Sequence, residues 1–269
     1  MYNDILSIGP FTIHGYGLMI GIGVMAALLT GDKRAQKRGM NGDLIYGLTF
    51  VAVILGFLAA RILFIITEFK DFLLNPKAYI TGSGFVVFGG IMGGILSVIG
   101  YCKIKKVRAI DYIDLMAPSV ALAQGFGRLG CLLAGCCYGR ETTSPIGIIF
   151  TNSSFAPNGV RLMPTQIMMS VGDFIIAAVL FAYAMKPRKK GQVTFIWLAM
   201  YSVGRFIVEF FRNDYRGSVG ALSTSQFIGI WVLLAAVLGY FFIVPLLNKE
   251  VSESAVTATE EAESSESEE

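Results

Sequence analysis

Seven stretches of this chain are apolar over the length needed to cross a bilayer: 11–30, 44–66, 85–102, 110–127, 165–185, 193–211 and 225–247. A helix of about 20 residues spans the hydrocarbon core. Irregular backbone cannot, because each unpaired N–H or C=O there costs several kcal/mol. The expected architecture is therefore an all-α integral membrane protein with seven transmembrane helices. Composition agrees, with 54% of the 269 residues hydrophobic and 15% charged, against roughly 45–50% and 25% in soluble domains. That balance argues against ordinary soluble enzymes and nucleic-acid-binding modules. A single His argues against a multi-His zinc site. The first stretch has no basic leader and no small-residue cleavage site, and it carries His14 and Tyr16 in its first turns, so it reads as a retained span.

Charge sets the expected orientation. Three short loops are basic: Lys33, Arg34, Lys37 and Arg38; Lys103, Lys105, Lys106 and Arg108; Lys186, Arg188, Lys189 and Lys190. With seven spans they share one side with Lys249, giving 13 bases there against 7 in the alternate loops. The positive-inside rule then puts the N-terminus outside and the C-terminus in the cytoplasm. The net charge of +3 averages two unlike pieces. Residues 1–247 form a polytopic membrane domain with 21 bases and 11 acids, and residues 248–269 hold 8 acids and one Lys. That tail has no aromatic residue and is expected to be disordered. The connection 127–164, with clustered Gly, Pro, Asn and Ser, is expected to be an ordered extracytoplasmic loop. No internal repeat is visible, which weighs against an inverted-repeat transporter.

Ionisable residues inside a membrane are costly and call for a function or a partner. In YSVGRFIVEFFR, Tyr201, Arg205, Glu209 and Arg212 follow spacings of four, four and three, one helix face at the outer end of the sixth span. Two readings stand: an Arg205–Glu209 pair that neutralises itself, or an anion site with donor capacity in excess of one carboxylate. Guanidinium suits phosphate through its planar fork of donors. In GFGRLGCLLAGCCYGR, Arg128 lies among Gly125, Gly127 and Gly130, where backbone can approach a ligand or a helix closely. The spacing of Cys131, Cys136 and Cys137 matches neither a paired CxxC site nor a His-containing zinc site, so no metal ligand is assigned. A disulfide from Cys131 to Cys136 or Cys137 is an open alternative, and Cys102, at the other face, cannot join them. In GFVVFGGIMGG, Gly89 with Gly93 and Gly90 with Gly94 form small-xxx-small pairs and are read as helix packing. His14 is read as an interfacial residue and a weak candidate proton acceptor, Arg61 as a phosphate ligand or headgroup anchor. Asp173 has no partner that sequence can name.

Tyr16, Arg61, Phe88, Arg128, Gly139, Gln166, Arg205 and Glu209 all fall in the outer half of their spans or just beyond. Their convergence on one depth describes a cationic pocket at the outer leaflet, walled by apolar helices. An anionic phospholipid fits it, with phosphate on arginine and tails in the bilayer.

These motifs taken together resemble those of prolipoprotein diacylglyceryl transferases. The resemblance rests on GRLGCLLAGCCYGR, HGYGLM, FGGIMGG, Pro164-Thr165-Gln166 and YSVGRFIVEFFR, in order along about residues 10–215. It implies an enzyme of a bacterial cytoplasmic membrane that moves the diacylglyceryl group of phosphatidylglycerol onto the lipobox cysteine of a prolipoprotein, releasing glycerol phosphate. It implies no metal or organic cofactor. By resemblance, Arg128 and Arg205 hold the phosphate and stabilise the departing charge, and Glu209 supports the second arginine. Tyr16 and Tyr201 match tyrosines of the lipid site, and Gly139 matches a glycine of the signature. Tyr16 is assigned with Arg128, Arg205 and Glu209 to catalysis; Arg128, Gly139, Tyr201, Arg205 and Arg61 are assigned to phospholipid binding.

The sequence also departs from the family's pattern. Phe88 and Met163 stand where the family commonly has His, and Cys131 and Cys136 stand where it often has polar and acidic residues. Arginine-assisted thiolate formation, with Tyr16 or His14 taking the proton, would replace the absent base. Two alternatives remain at this stage: a paralogue using the same phospholipid with a different acceptor, and a non-catalytic phospholipid-binding membrane protein.

Overall fold

The computed structural model describes residues 4–8, 11–82, 84–213 and 217–249; the acidic stretch 250–269 lies outside them. Helices dominate: α1 (Gly15–Lys37), α2 (Asp43–Thr67), the short α3 (Phe69–Leu74) and α4 (Pro76–Thr81), α5 (Val87–Ile104), α6 (Ala109–Ala134), α7 (Thr165–Tyr183), α8 (Gln192–Glu209) and α9 (Thr224–Leu238). A π-helical turn, Gly239–Ile243, continues α9 toward Lys249. Among the described residues, five helices are long and apolar enough to cross a membrane: α1, α2, α5, α7 and the α9 segment Thr224–Lys249. The other two long helices, α6 with 26 residues and α8 with 18, are not among those five. Their polar residues include Asp111, Asp114 and Arg128 on α6 and Arg205 and Glu209 on α8.

Several sequence expectations need correction. Residues 11–14, read as the start of the first span, form strand β2 (Phe11–His14), paired antiparallel with β1 (Asp4–Ile8). The β-branched and aromatic run there favours a strand, so His14 lies on a strand and the helix starts at Gly15. Two further short pairs, β3 (Ile148–Ile149) with β4 (Arg161–Leu162) and β5 (Ser218–Val219) with β6 (Leu222–Ser223), interrupt a chain that is otherwise mostly helical, consistent with the expected all-α membrane architecture. The fourth helix extends to Ala134, so Arg128 and Cys131 are helical rather than in an exit loop. At the other end, helix continues through Lys249, past the boundary at 248 that composition suggested. Asn248 anchors it there, exchanging hydrogen bonds with the backbone of Lys190 at 3.0 and 3.2 Å.

The chain forms two compact units. In one, residues 28–112, α2 and α5 lie against each other along their glycines. A Cβ on Gly89 would stand 2.6 Å from the Ala59 carbonyl oxygen, and one on Gly93 2.3 Å from Ala59 Cβ. Such closeness replaces the hydrophobic drive that lipid cannot supply. The other unit comprises residues 1–27 and 113–269. Its core is Ala117 and Ala121 of α6, Ile176, Ala177 and Leu180 of α7 and Val193 of α8. Asp114 caps α8 from a distance, accepting from the N–H groups of Gly191 at 2.6 Å and Thr194 at 2.8 Å and from the Thr194 hydroxyl. Gly125 gives room to the Phe174 ring, and Ser170 Oγ donates to the Gly125 carbonyl at 2.9 Å, fastening α7 to α6. The loop after α6 is ordered around Phe150, Ala156 and Leu162.

Candidate active site

The residues of the C-terminal half of α8 build the candidate site. Tyr201, Arg205 and Glu209 succeed one another at four-residue steps, so the helix places all three on one face. Arg205 donates through Nη1 to Glu209 Oε2 and through Nη2 to Ser225 Oγ at 2.9 Å. Glu209 also accepts from Ser223 Oγ at 2.8 Å, and Arg212 Nε lies 3.7 Å from its Oε2. These charges are withdrawn from solvent: the side chains of Arg205, Glu209 and Arg212 are 13%, 8% and 3% exposed. Ser223 does two jobs, because its hydroxyl also accepts from the Gln226 N–H at 3.1 Å and caps α9. The α9 cap and the Glu209 carboxylate are therefore held by one oxygen.

α6 supplies the next cation. Arg128 Nη2 reaches the Tyr201 hydroxyl at 3.5 Å, a weak bond, and lies within electrostatic range of Asp173 on α7. Asp173 is buried, and its Oδ2 has no hydrogen-bond partner among the described residues. Tyr16 packs its ring on the α6 backbone at Gly130, where a Cβ would stand 3.1 Å from Tyr16 Cδ2. Three guanidinium groups, Arg128, Arg205 and Arg212, are thus gathered with two carboxylates, Glu209 and Asp173. Buried guanidinium groups need acceptors for their donors, and a phosphate accepts the two parallel N–H bonds that a guanidinium offers.

The comparisons with known proteins bear on this geometry. Residues 3–242 match the family described as prolipoprotein diacylglyceryl transferase. The chain belongs to the prolipoprotein diacylglyceryl transferase family. It is 49% identical over 226 residues to the phosphatidylglycerol–prolipoprotein diacylglyceryl transferase of Clostridium tetani, covering 84% of this chain and 91% of that one. It is 50% identical over 231 residues to phosphatidylglycerol–prolipoprotein diacylglyceryl transferase 2 of Clostridium perfringens, covering 85% and 90%. The corresponding enzyme of Dehalococcoides mccartyi is 30% identical over 255 residues, covering 92% and 95%. This family member is a multi-pass membrane protein, as its apolar helices also indicate.

Within this family member, Gly139 joins the loop after α6 to the end of the cluster at Arg212. It forms a β-bridge with Arg212, and its N–H donates to the Met163 carbonyl at 3.0 Å. A Cβ there would stand 2.6 Å from the carbonyl oxygens of both Met163 and Phe211, so only glycine allows the crossing. Arg61 belongs to the other unit, where it donates to the Gly84 carbonyl at 2.6 Å and to the Tyr79 carbonyl and lies over the Phe64 and Phe85 rings. Phe88 is in that unit too and is 52% exposed. His14 meets Asp4 at 2.7 Å, both well exposed, and so pins the terminal hairpin.

Sequence reasoning missed Ser223 and Ser225, the hydroxyls that hold the Glu209–Arg205 pair. A signal was present: Ser223-Thr-Ser-Gln226 has capping-box spacing. It also missed what Thr165 and Gln166 hold. Thr165 Oγ1 donates to the Cys137 carbonyl and Gln166 Nε2 to the Cys136 carbonyl, both at 2.8 Å.

Proposed function

We propose that this chain transfers the diacylglyceryl group of phosphatidylglycerol to the thiol of a prolipoprotein lipobox cysteine, releasing glycerol phosphate. The observation that carries the reading is the buried α8 face on which Arg205, fixed by Glu209 and Ser225, and Arg128 of α6 flank Tyr201, in a chain about half identical to enzymes of that name. Arg128 and Arg205 hold the phosphodiester, with Tyr201 between them; Glu209 and Ser225 fix the Arg205 fork. The acceptor thiolate attacks the diacylglyceryl carbon bonded to phosphate oxygen. A C–S bond forms, that C–O bond breaks, and the phosphate leaves with a second negative charge. Fixed guanidinium donors stabilise that developing charge most, which is what lowers a barrier. The thiol needs modest help, since a few per cent of an ordinary cysteine is already thiolate near neutrality, its proton passing to water, and Tyr16, on the α6 face beside Arg128, donates a hydrogen bond to the thiolate.

In this reading α1, α2, α5, α6, α7, α8 and α9 all cross the bilayer, with the N-terminus outside and the C-terminus in the cytoplasm. The distribution of Lys and Arg among the loops supports that orientation. The site then faces the outer leaflet of a bacterial cytoplasmic membrane. Residues 250–269 act as a cytoplasmic tail with no part in the chemistry.

The test is purified protein with phosphatidylglycerol and a lipobox-containing peptide, read by mass spectrometry. A diacylglyceryl mass on the peptide cysteine, absent with a serine peptide, is expected. Phospholipid bound but not consumed, under conditions in which the Clostridium tetani relative turns over, overturns the reading.

A further inference from the structure

Three cysteines beside this site have no part in the chemistry above. Cys131 lies in the last turn of α6, and Cys136 and Cys137 lie in the turn that follows. The way α6 stops brings them together. Gly135, left-handed at φ +74°, ends the helix. Its N–H bonds the Leu132 carbonyl at 3.1 Å, and the Cys136 N–H bonds the Cys131 carbonyl at 3.1 Å. This double-bonded stop sets the residue after the glycine against the residue five positions earlier, and here both carry thiols. Cys137 also takes a left-handed backbone, φ +59°, which L residues seldom adopt. As a result the three Sγ atoms all lie within 4.8 Å of one another. The turn is held from outside by Thr165 and Gln166, both fully buried, through the carbonyls of Cys137 and Cys136.

We propose that Cys131, Cys136 and Cys137 form a binding site for one soft, thiophilic cation of the Zn(II) and Cd(II) class. Metal–sulfur bonds of about 2.3 Å in a tetrahedral arrangement put sulfurs about 3.8 Å apart. The thiols need to close by roughly one ångström at most to reach that spacing, a small side-chain movement. Thiolate ligands select soft ions of this kind. A divalent ion on three thiolates carries one net negative charge, and Arg128 and Arg212 lie within electrostatic range to offset it. None of the three is joined in a disulfide, which would use two thiols and strand the third. Three protein ligands leave a fourth position for water or an exogenous group, as in open rather than closed zinc sites. The buried Thr165 and Gln166 contacts are the outer support that such sites need. This site does not depend on the transferase reading, because metal uptake is measured without turnover.

The experiment uses the full chain, purified in detergent under reducing conditions and titrated with Cd(II). Thiolate-to-cadmium charge-transfer absorption is followed, and cysteine alkylation is mapped by peptide mass spectrometry with and without the ion. One ion per chain is expected, with Cys131, Cys136 and Cys137 protected and Cys102 labelled as before. Cys136→Ser is expected to weaken binding about 10-fold or more, while Cys102→Ser binds as the unaltered chain does. Equal alkylation of the trio with and without Cd(II), or no charge-transfer band at one equivalent, overturns the proposal. So does a disulfide between two of the three in protein purified without reductant. The wild-type protection pattern decides even if a variant fails to fold.

Discussion

Replacing Glu209 by Gln removes one charge and almost no volume, which makes it the sharpest probe of the arginine cluster. The carboxylate accepts from Arg205 and Ser223 and lies 3.7 Å from Arg212, with 8% of its side chain exposed. The amide keeps one acceptor oxygen but turns an NH2 group toward two guanidiniums. Deleting one partner of a buried ion pair costs about 3–5 kcal/mol. The retained oxygen keeps part of a charged hydrogen bond, so the expected loss is roughly 2–3 kcal/mol. At 2–4 °C per kcal/mol for a chain of this size, Tm should fall by about 5–10 °C. If that energy holds Arg205 in its transition-state position, turnover should fall about 100-fold. The extra net positive charge has a second consequence: phosphatidylglycerol should raise the Tm of Glu209→Gln more than that of the unaltered protein, relative to phosphatidylcholine. Melts in the two lipids, with a turnover assay beside them, measure all three effects. A variant that melts and turns over like the unaltered protein would refute the view that Glu209 holds the arginines.

Further predictions bear on the frame around the cluster. Gly139→Ala would drive a Cβ to 2.6 Å from two carbonyl oxygens, so a stability loss of about 1–3 kcal/mol and reduced turnover are expected; unchanged melting and activity would show that the crossing at Arg212 tolerates a side chain. Gly127 meets nothing within 4 Å inside α6, and Gly127→Ala should therefore raise stability by up to about 1 kcal/mol, a gain that a thermal melt would register. Ser223→Ala should cost about 1–2 kcal/mol through the lost α9 cap and lower turnover through Glu209; Ser223→Thr should restore most of both. Asp114→Asn should lose roughly 1.5–3 kcal/mol by weakening the charged cap on α8, with unchanged turnover per folded molecule, and a specific activity loss would place Asp114 in the site's support instead.

The long helices were legible because an apolar run of bilayer length leaves the backbone few options. Their ends were less so. The Phe11-Thr-Ile-His14 strand merges into an apolar stretch, and only its pairing with Asp4–Ile8 distinguishes it. Arg128 looked like a membrane edge, yet α6 continues nearly two turns beyond it to Ala134. The Tyr201–Arg205–Glu209 face could be read from spacing alone, since 3.6 residues per turn is a property of any helix. Ser225 and Ser223 come from the start of the next helix, and Asp114 caps a helix start 77 residues away; capping-box spacing marks the α9 start, but no local pattern tells which distant side chains these groups meet. The cysteine trio escaped for a related reason. Its spacing fits no paired motif, and the left-handed stop at Gly135 is what brings the thiols together.

The account centres on Arg128 and Arg205 as the clamp on the departing phosphate. The most direct test is release of glycerol phosphate from phosphatidylglycerol by the unaltered chain, Arg128→Ala and Arg205→Ala, in the presence of a lipobox peptide. Release by the unaltered chain and none above background in either variant, with Asp173→Asn retaining partial activity, is the expected result. Release by both arginine variants at the rate of the unaltered chain would contradict the clamp.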